Sequence, residues 1–289
     1  MKLILLGTGT SHGVPVIGCD CKVCRSKSKK DKRFRSAACI TGDDGKLIQI
    51  DTGPEFRMQA IKYKIKKLDA VLLTHNHSDH MFGLDDLRIF SFDLPKVPDD
   101  TKHQGYFAPP IPIYTNETTE NDLKNKFDYL FKPVKEGGGR AKITLNKPHE
   151  PFNIGNTTVT PIPMMHGHLE TTGWLLTHTQ NGVKKSAAYL TDCSFIPESS
   201  INLIKQNAGI LEHLVIDGLR IKEHSTHFNF LQALSAAEKV CPNHVWLTHL
   251  THLTSHKDVK AYIKKHIKEF PGLKNSTALP AYDGLVLKW

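Results

Sequence analysis

No apolar run in this 289-residue chain approaches the length of a membrane span. The opening Met1-Lys2-Leu3-Ile4-Leu5-Leu6 is too short for a signal peptide, and the Gly7-Thr8-Gly9-Thr10 that follows has no cleavage-like site. It reads as a first strand, and the expected compartment is the cytoplasm. A tandem repeat of short period is also lacking, which leaves out solenoids and propellers. Cysteine is sparse and unevenly placed. Cys19, Cys21 and Cys24 crowd into six residues, while Cys39, Cys193 and Cys241 stand alone. That spacing is not a disulfide framework; in a cytosolic protein a C-x-C-x-x-C more often holds metal.

Hydrophobic residues make up 39% of the chain and charged ones 23%, ordinary values for a globular protein. The length suits one large domain or two small ones, with enough chain for a substantial core. A net charge of +9 favours anionic partners, small phosphates or nucleic acid. The lysines are nevertheless spread out, as in Lys62-Tyr63-Lys64-Ile65-Lys66-Lys67 and Lys264-Lys265-His266-Ile267-Lys268. Both stretches read as wet helix faces that serve solubility.

The densest chemistry lies in His75-Asn76-His77-Ser78-Asp79-His80, just after the apolar run Ala70-Val71-Leu72-Leu73. That run reads as a short buried strand, so the cluster sits where a strand becomes a loop. Residues two apart on an extended segment project the same way, so His75 and His77 can grip one cation. Gly83 follows closely, and a turn there can carry Asp79 and His80 to a second cation. Imidazole nitrogen with carboxylate oxygen suits zinc, or manganese and iron as harder options.

Elsewhere, strands repeatedly end in His or Asp. Lys46–Gly53 ends near Asp51, Thr157–His168 at His166 or His168, and Ala187–Cys193 at Asp192. Leu214–Gly218 carries Asp217, and Val245–His252 carries His249 and His252. Helices are expected over Pro54–Lys64, from Gly83, over Asn121–Phe131, Asn229–Val240 and Lys257–Phe270. A short strand is expected at Ile111–Tyr114 and a closing strand near Leu285–Leu287. The pattern suits a layered α/β fold with its site at the strand ends, in the style of a duplicated α/β unit. We expect a single domain over 1–289, with an irregular excursion around 93–140.

His-x-His-x-Asp-His resembles the signature of the metallo-β-lactamase superfamily of metal-dependent hydrolases. The resemblance implies an α/β fold of the αββα sandwich type, with one or two metals along one edge of the sheets. It implies that His75, His77 and His166 hold one metal, that Asp79, His80 and His249 hold the other, and that Asp192 bridges them. His168 is the less favoured alternative to His166, and Asp217 a weaker ligand candidate. Asp51 would orient a metal-binding histidine. The metals would be zinc or manganese. Three thiolates at Cys19, Cys21 and Cys24 supply three corners of a structural zinc site and need a fourth ligand. His252, three residues beyond His249, points away from the first site and is the best candidate. This pairing, with Gly18 ahead of the cysteines and His249-x-x-His252 behind, resembles the PhnP-type phosphoribosyl cyclic phosphodiesterases of the carbon–phosphorus lyase pathway. The stretch from Asp93 to Arg140 is expanded relative to that family. The segment Glu223-His224-Ser225-Thr226-His227-Phe228 is similar to one that places a histidine near the scissile phosphate, which gives His227 the role of general acid or phosphate donor, with His224 next in line. Asp79 and His227 are the groups assigned to catalysis.

The resemblance therefore implies a metal-dependent phosphodiesterase acting on a small cyclic or nucleotide-like phosphodiester. One rival is an endonuclease like ribonuclease Z, which would need a long basic arm; the 93–140 stretch mixes acidic and basic residues instead. Others are hydrolysis of a lactam or thioester, and a non-catalytic metal or nucleotide sensor. Nucleic acid is a weaker partner expectation than a small phosphodiester, no membrane partner is expected, and a homodimer is compatible with the sequence.

Overall fold

The structure is a computed structural model that describes residues 1–91, 109–132 and 140–289. Much of the expected excursion around 93–140 lies outside the described residues.

Two seven-stranded sheets stack face to face. The first contains β1 (Lys2–Gly7), β2 (Ala37–Thr41), β3 (Leu47–Ile50), β4 (Ala70–Leu72), β5 (Ile111–Tyr114) and β6 (Ile143–Asn146). The second contains β7 (Phe152–Ile154), β8 (Thr157–His166), β9 (Leu169–Gln180), β10 (Val183–Leu190), β11 (Ile210–Asp217), β12 (His244–Thr248) and β13 (Thr277–Pro280). The C-terminal β14 (Val286–Lys288) returns to the first sheet beside β1. The orders are β14-β1-β2-β3-β4-β5-β6 and β13-β12-β11-β10-β9-β8-β7. In each sheet the first-running strands pair antiparallel and the rest parallel. The same pattern is thus laid down twice, β1 to β6 matching β8 to β13.

Helices cover both outer faces. α1 (Phe56–Lys62), α2 (Ser78–Met81) and α3 (Glu117–Lys126) belong to the first half. α4 (Glu198–Ala208), α5 (Phe230–Val240) and α6 (His256–His266) belong to the second. Strand periodicity assigns the layers. On β9, Trp174 and Leu176 face the opposite sheet with Leu3, Leu5, Ile50, Leu72 and Tyr189, while Leu175 faces the helix layer. On β4, Ala70 and Leu72 point inward and Val71 points toward Phe56 and Leu123. All three are fully buried, as expected of a parallel strand covered on both faces. Val71 and Leu72 each contribute about 1.5–3 kcal/mol by leaving water. The architecture is the αββα sandwich of the metallo-β-lactamase fold.

Local signals explain the element boundaries. The Asn229 side chain accepts from Gln232 N and the Gln232 side chain from Asn229 N, a reciprocal cap that starts α5. Asn116 caps α3 through Thr119 N, so this helix begins before the expected Asn121 and stops at Lys126; a single 3₁₀ turn, Asp128–Leu130, follows. The helix expected from Gly83 is a 3₁₀ segment, Leu84–Ser91.

Candidate metal centre

The centre forms along the edge where β3, β4, β8, β10, β11 and β12 end. After β4 the backbone stays extended through His77 (φ −69°, ψ 149°) and then enters the single turn of α2. His75 and His77 therefore project together, and the turn brings Asp79 and His80 around. This segment is bolted to the loop after β3. Thr52 N donates to His80 O at 2.7 Å and Gly83 N to Thr52 O at 2.7 Å. Two glycines allow the approach: a Cβ on Gly53 would lie 2.1 Å from Asp79 O, and one on Gly83 2.2 Å from Gly53 O.

One ligand atom each from His75, His77 and His166 lies within 4.8 Å of the others. His75, His80 and Asp192 satisfy the same condition, as do His166, Asp192 and His227. Oδ2 of Asp192 is 3.2 Å from His80 Nε2 and 3.1 Å from His249 Nδ1, and Oδ2 of Asp79 is 3.2 Å from His80 Nε2. The six histidines and aspartates expected from the sequence thus gather around the seventh, Asp192. Asp51, Asp192 and His249 all adopt left-handed backbone, at φ 57°, 53° and 60°. Strain of this kind at three strand ends persists only where surrounding contacts fix it.

The residues fit a metal pair. Nε2 of His75 is buried with no hydrogen-bond partner, and Nε2 of His80 faces the carboxylates of Asp79 and Asp192, each at 3.2 Å, without hydrogen-bond geometry to either. Buried imidazole nitrogens are seldom left so, and a cation satisfies them. The opposite nitrogens are already engaged. His80 Nδ1 donates to Asp51 Oδ2 at 2.7 Å, His166 Nδ1 to Thr226 O at 2.6 Å, and His75 Nδ1 lies 3.0 Å from Thr74 Oγ1. Such partners fix the ring orientation and direct Nε2 inward. Burial holds His75 well below the ordinary imidazole value and lowers His249 to about 3, so both are neutral and ready to bind metal. Burial also lowers His77 and His166. At His80 burial opposes charge, but Asp192, Asp79 and Asp51 outweigh it and hold the pKa well above normal. The field that favours a proton there favours a divalent cation equally.

His227 stands at the rim, 9% exposed, its ring stacked on His249 at 4.8 Å and edge-on to His166 at 4.4 Å. Its Nδ1 donates to Asp217 Oδ2 at 2.7 Å, which leaves Nε2 for the cleft. Burial opposes its charge, yet Asp217 raises its pKa overall. Asp217, a weaker ligand candidate in the sequence, instead accepts from His227 and from Cys193 N at 3.0 Å. His224 and His168 are exposed, and His224 accepts from Thr226 N. Two partners carried no sequence signal. Ser36 Oγ lies 3.1 Å from His249 Nδ1, and Thr74 donates to Asp51 from both its amide and its hydroxyl.

A second cluster lies beyond His249. Sγ of Cys19, Cys21 and Cys24 are 3.3, 3.4 and 3.5 Å from His252 Nδ1. Three sulfurs and one imidazole converging on a point match the donor set of structural zinc sites. The Cys24 amide and the His252 ring lower Cys21 to about 6, toward thiolate, while burial raises Cys24 to about 11. His249 and His252 ride on one loop, whose Leu250 exchanges backbone hydrogen bonds with Thr8 and Thr10.

Comparison with known proteins agrees with this geometry. Residues 47–250 match the beta-lactamase superfamily domain. A solved structure described as a new diphosphatase from the PhnP family superposes with a TM-score of 0.79 at 36% identity, covering 100% of this chain and 97% of that one. Zinc-bound PqqB from Methylobacterium extorquens superposes at 0.74 with 17% identity over 100% of both chains, a likeness of fold alone. An octanoyltransferase of Porphyromonas gingivalis is 37% identical over 87% of this chain. The chain spans about half the length of that relative, 46%. Among the described residues no helix is long and apolar enough to cross a membrane. Family match and site geometry together identify the chain as a member of the metallo-β-lactamase superfamily of metal-dependent hydrolases, related to the PhnP family.

Proposed function

We propose that the protein hydrolyses a small cyclic or nucleotide-like phosphodiester. The observation that carries the reading is the convergence of both ligand sets on Asp192, with the Asp217-held His227 beside them. His75, His77 and His166 would hold one divalent cation; Asp79, His80 and His249 the other; Asp192 would touch both. Bound there, zinc or manganese supplies Lewis acidity and an acidified water. The protein's own groups do the rest. Asp192 would reduce the repulsion between two cations held there. Asp51 keeps His80 oriented. His227, anchored through Nδ1, presents Nε2 to a departing oxygen and can give it a proton. A leaving alkoxide needs that proton, so the arrangement favours esters of phosphate with an alcohol. The likeness to a PhnP-family diphosphatase supports a second substrate within the same chemistry, a diphosphate diester whose leaving group is itself a phosphate.

The test is a substrate panel with zinc or manganese supplied. Bis-nitrophenyl phosphate should turn over far better than the matching monoester. Robust monoesterase, lactamase or octanoyl-thioester hydrolysis without diesterase activity would replace this reading, and cleavage of precursor tRNA alone would favour the ribonuclease Z-like rival.

A further inference from the structure

α3 closes on the centre from the side of the first sheet. Its first turn is fixed to the second sheet, because Asn116 Nδ2 donates to Glu170 O at 3.1 Å. Its last residue, Lys126, reaches the metal-binding loop: Nζ donates to the carbonyl of Asn76, the residue between His75 and His77, at 3.2 Å. The stem passes Phe82, with Nζ 5.8 Å from the ring centroid. An ammonium has three donors. Asn76 O takes one and Asp122, 2.5 Å away, takes another. Among the described residues these are its two acceptors, so one N–H remains, on a side chain 39% exposed. The neighbouring Lys124 pairs instead with Glu120, and Lys147 with Glu117 and Glu120. Lys126 is thus a cation fixed to the backbone between His75 and His77, and its charge is felt at His77.

We infer that Lys126 is a specificity-determining residue that binds a second anionic group next to the scissile phosphate, so that the preferred substrates carry two adjacent phosphates. This rests on the phosphodiesterase reading and narrows it. A phosphate lying between the two metal sites is already served by their cations. Lys126 is held at the residue next to the exposed His77, beside the ligand set and not part of it, and a further phosphate of the substrate would meet it there. A charge-assisted hydrogen bond from a lysine suits a phosphate oxygen.

The test compares Lys126→Met and Lys126→Arg with wild type on bis-nitrophenyl phosphate and on a dinucleoside diphosphate, with metal content measured for each. For Lys126→Met, kcat/KM on the dinucleoside diphosphate should fall about 10-fold, chiefly through KM, and inhibition by inorganic diphosphate should weaken by about the same factor. The loss on bis-nitrophenyl phosphate should be about 2-fold or less. Metal content should hold, and Lys126→Arg should keep most of the activity. Asp122→Asn, which frees the ammonium, should tighten inorganic diphosphate. Equal losses on both substrates, no loss on the diphosphate, or a wild type that accepts bis-nitrophenyl phosphate but not the diphosphate would each overturn the inference. A wild type inactive on bis-nitrophenyl phosphate would instead remove the phosphodiesterase reading.

Discussion

At Asp192 one carboxylate in left-handed backbone meets His80 at 3.2 Å and His249 at 3.1 Å. Burial alone would raise its pKa, yet His249 and His80 hold it well below normal. Asp192→Ala would leave two bound cations facing each other without that charge, so metal occupancy and turnover should fall together. His227→Ala removes a group whose Nδ1 is already committed to Asp217. It should retain metal and lose about 10²–10⁴-fold in turnover, less with substrates whose leaving group needs no proton. Metal analysis beside turnover on poor and good leaving groups checks both variants. Loss of metal from His227→Ala would make it a ligand, consistent with its closeness to His166 and Asp192. The cluster from His75 to His80 was legible because three histidines and an aspartate within six positions are rare outside metal sites, whereas His166, Asp192 and His249 stood out only through the family resemblance. Asp217 stayed a weaker ligand candidate because a carboxylate at a strand tip looks the same in sequence whether it faces a cation or an imidazole. Ser36 and Thr74 were invisible, since lone hydroxyls in loops have no distinguishing neighbours.

The loop between β12 and α6 carries one candidate ligand of each centre, His249 and His252. Its backbone is tied to the Gly7–Thr10 loop through Leu250, and its C-terminal end runs into α6, which Ser255 caps through Asp258 N. Cys19, Cys21 and Cys24 hang from this loop through His252, with Val14 and Val23 packed behind them. Metal binding to such a site is folding energy. Fully loaded protein should therefore hold up to three metals per chain. Cys21→Ser should lose one of them and melt at a lower temperature, read by metal analysis and thermal unfolding. Full zinc content with unchanged melting would exclude the site as drawn. Strands were readable where β-branched or leucine-rich runs are flanked by charge, as at Ala70–Leu72. β2 and β9 were not, because alanine and threonine dominate the one and mixed polar residues open the other. The start of α3 was missed because its cap, Asn116, stands well ahead of the helical spacing that begins near Asn121.

Across the whole molecule the C-terminal strand closes the first sheet, and Asp283 just before it accepts from Phe34 N at 2.7 Å and from Thr8 Oγ1 at 2.8 Å. Burial lifts its carboxyl from 3.8 to about 6, against these hydrogen bonds and the buried Arg33. Between those values the folded chain keeps a proton that the unfolded chain has released. The contribution of this group is therefore complete below the unfolded value and is lost as pH rises to about 6, by at most about 3 kcal/mol. Denaturant unfolding of wild type and Asp283→Asn from pH 4 to pH 7 should show their stability difference shifting against wild type as pH rises; a constant difference would refute the assignment. The layered fold and its edge site followed from strands that end in His or Asp, whereas the doubled strand order needed the pairing itself. That doubling has a consequence for how metal and fold are linked. Asp51 follows the third strand of one half and Asp192 the third strand of the other, and they take opposite nitrogens of the single ring of His80. Separating the halves would strip that ring of one carboxylate and divide the candidate ligands, so metal bound there would be linked to the docking of the sheets. Metal at 100 times its dissociation constant would add about 2.7 kcal/mol to that docking, and a chelator should remove that contribution.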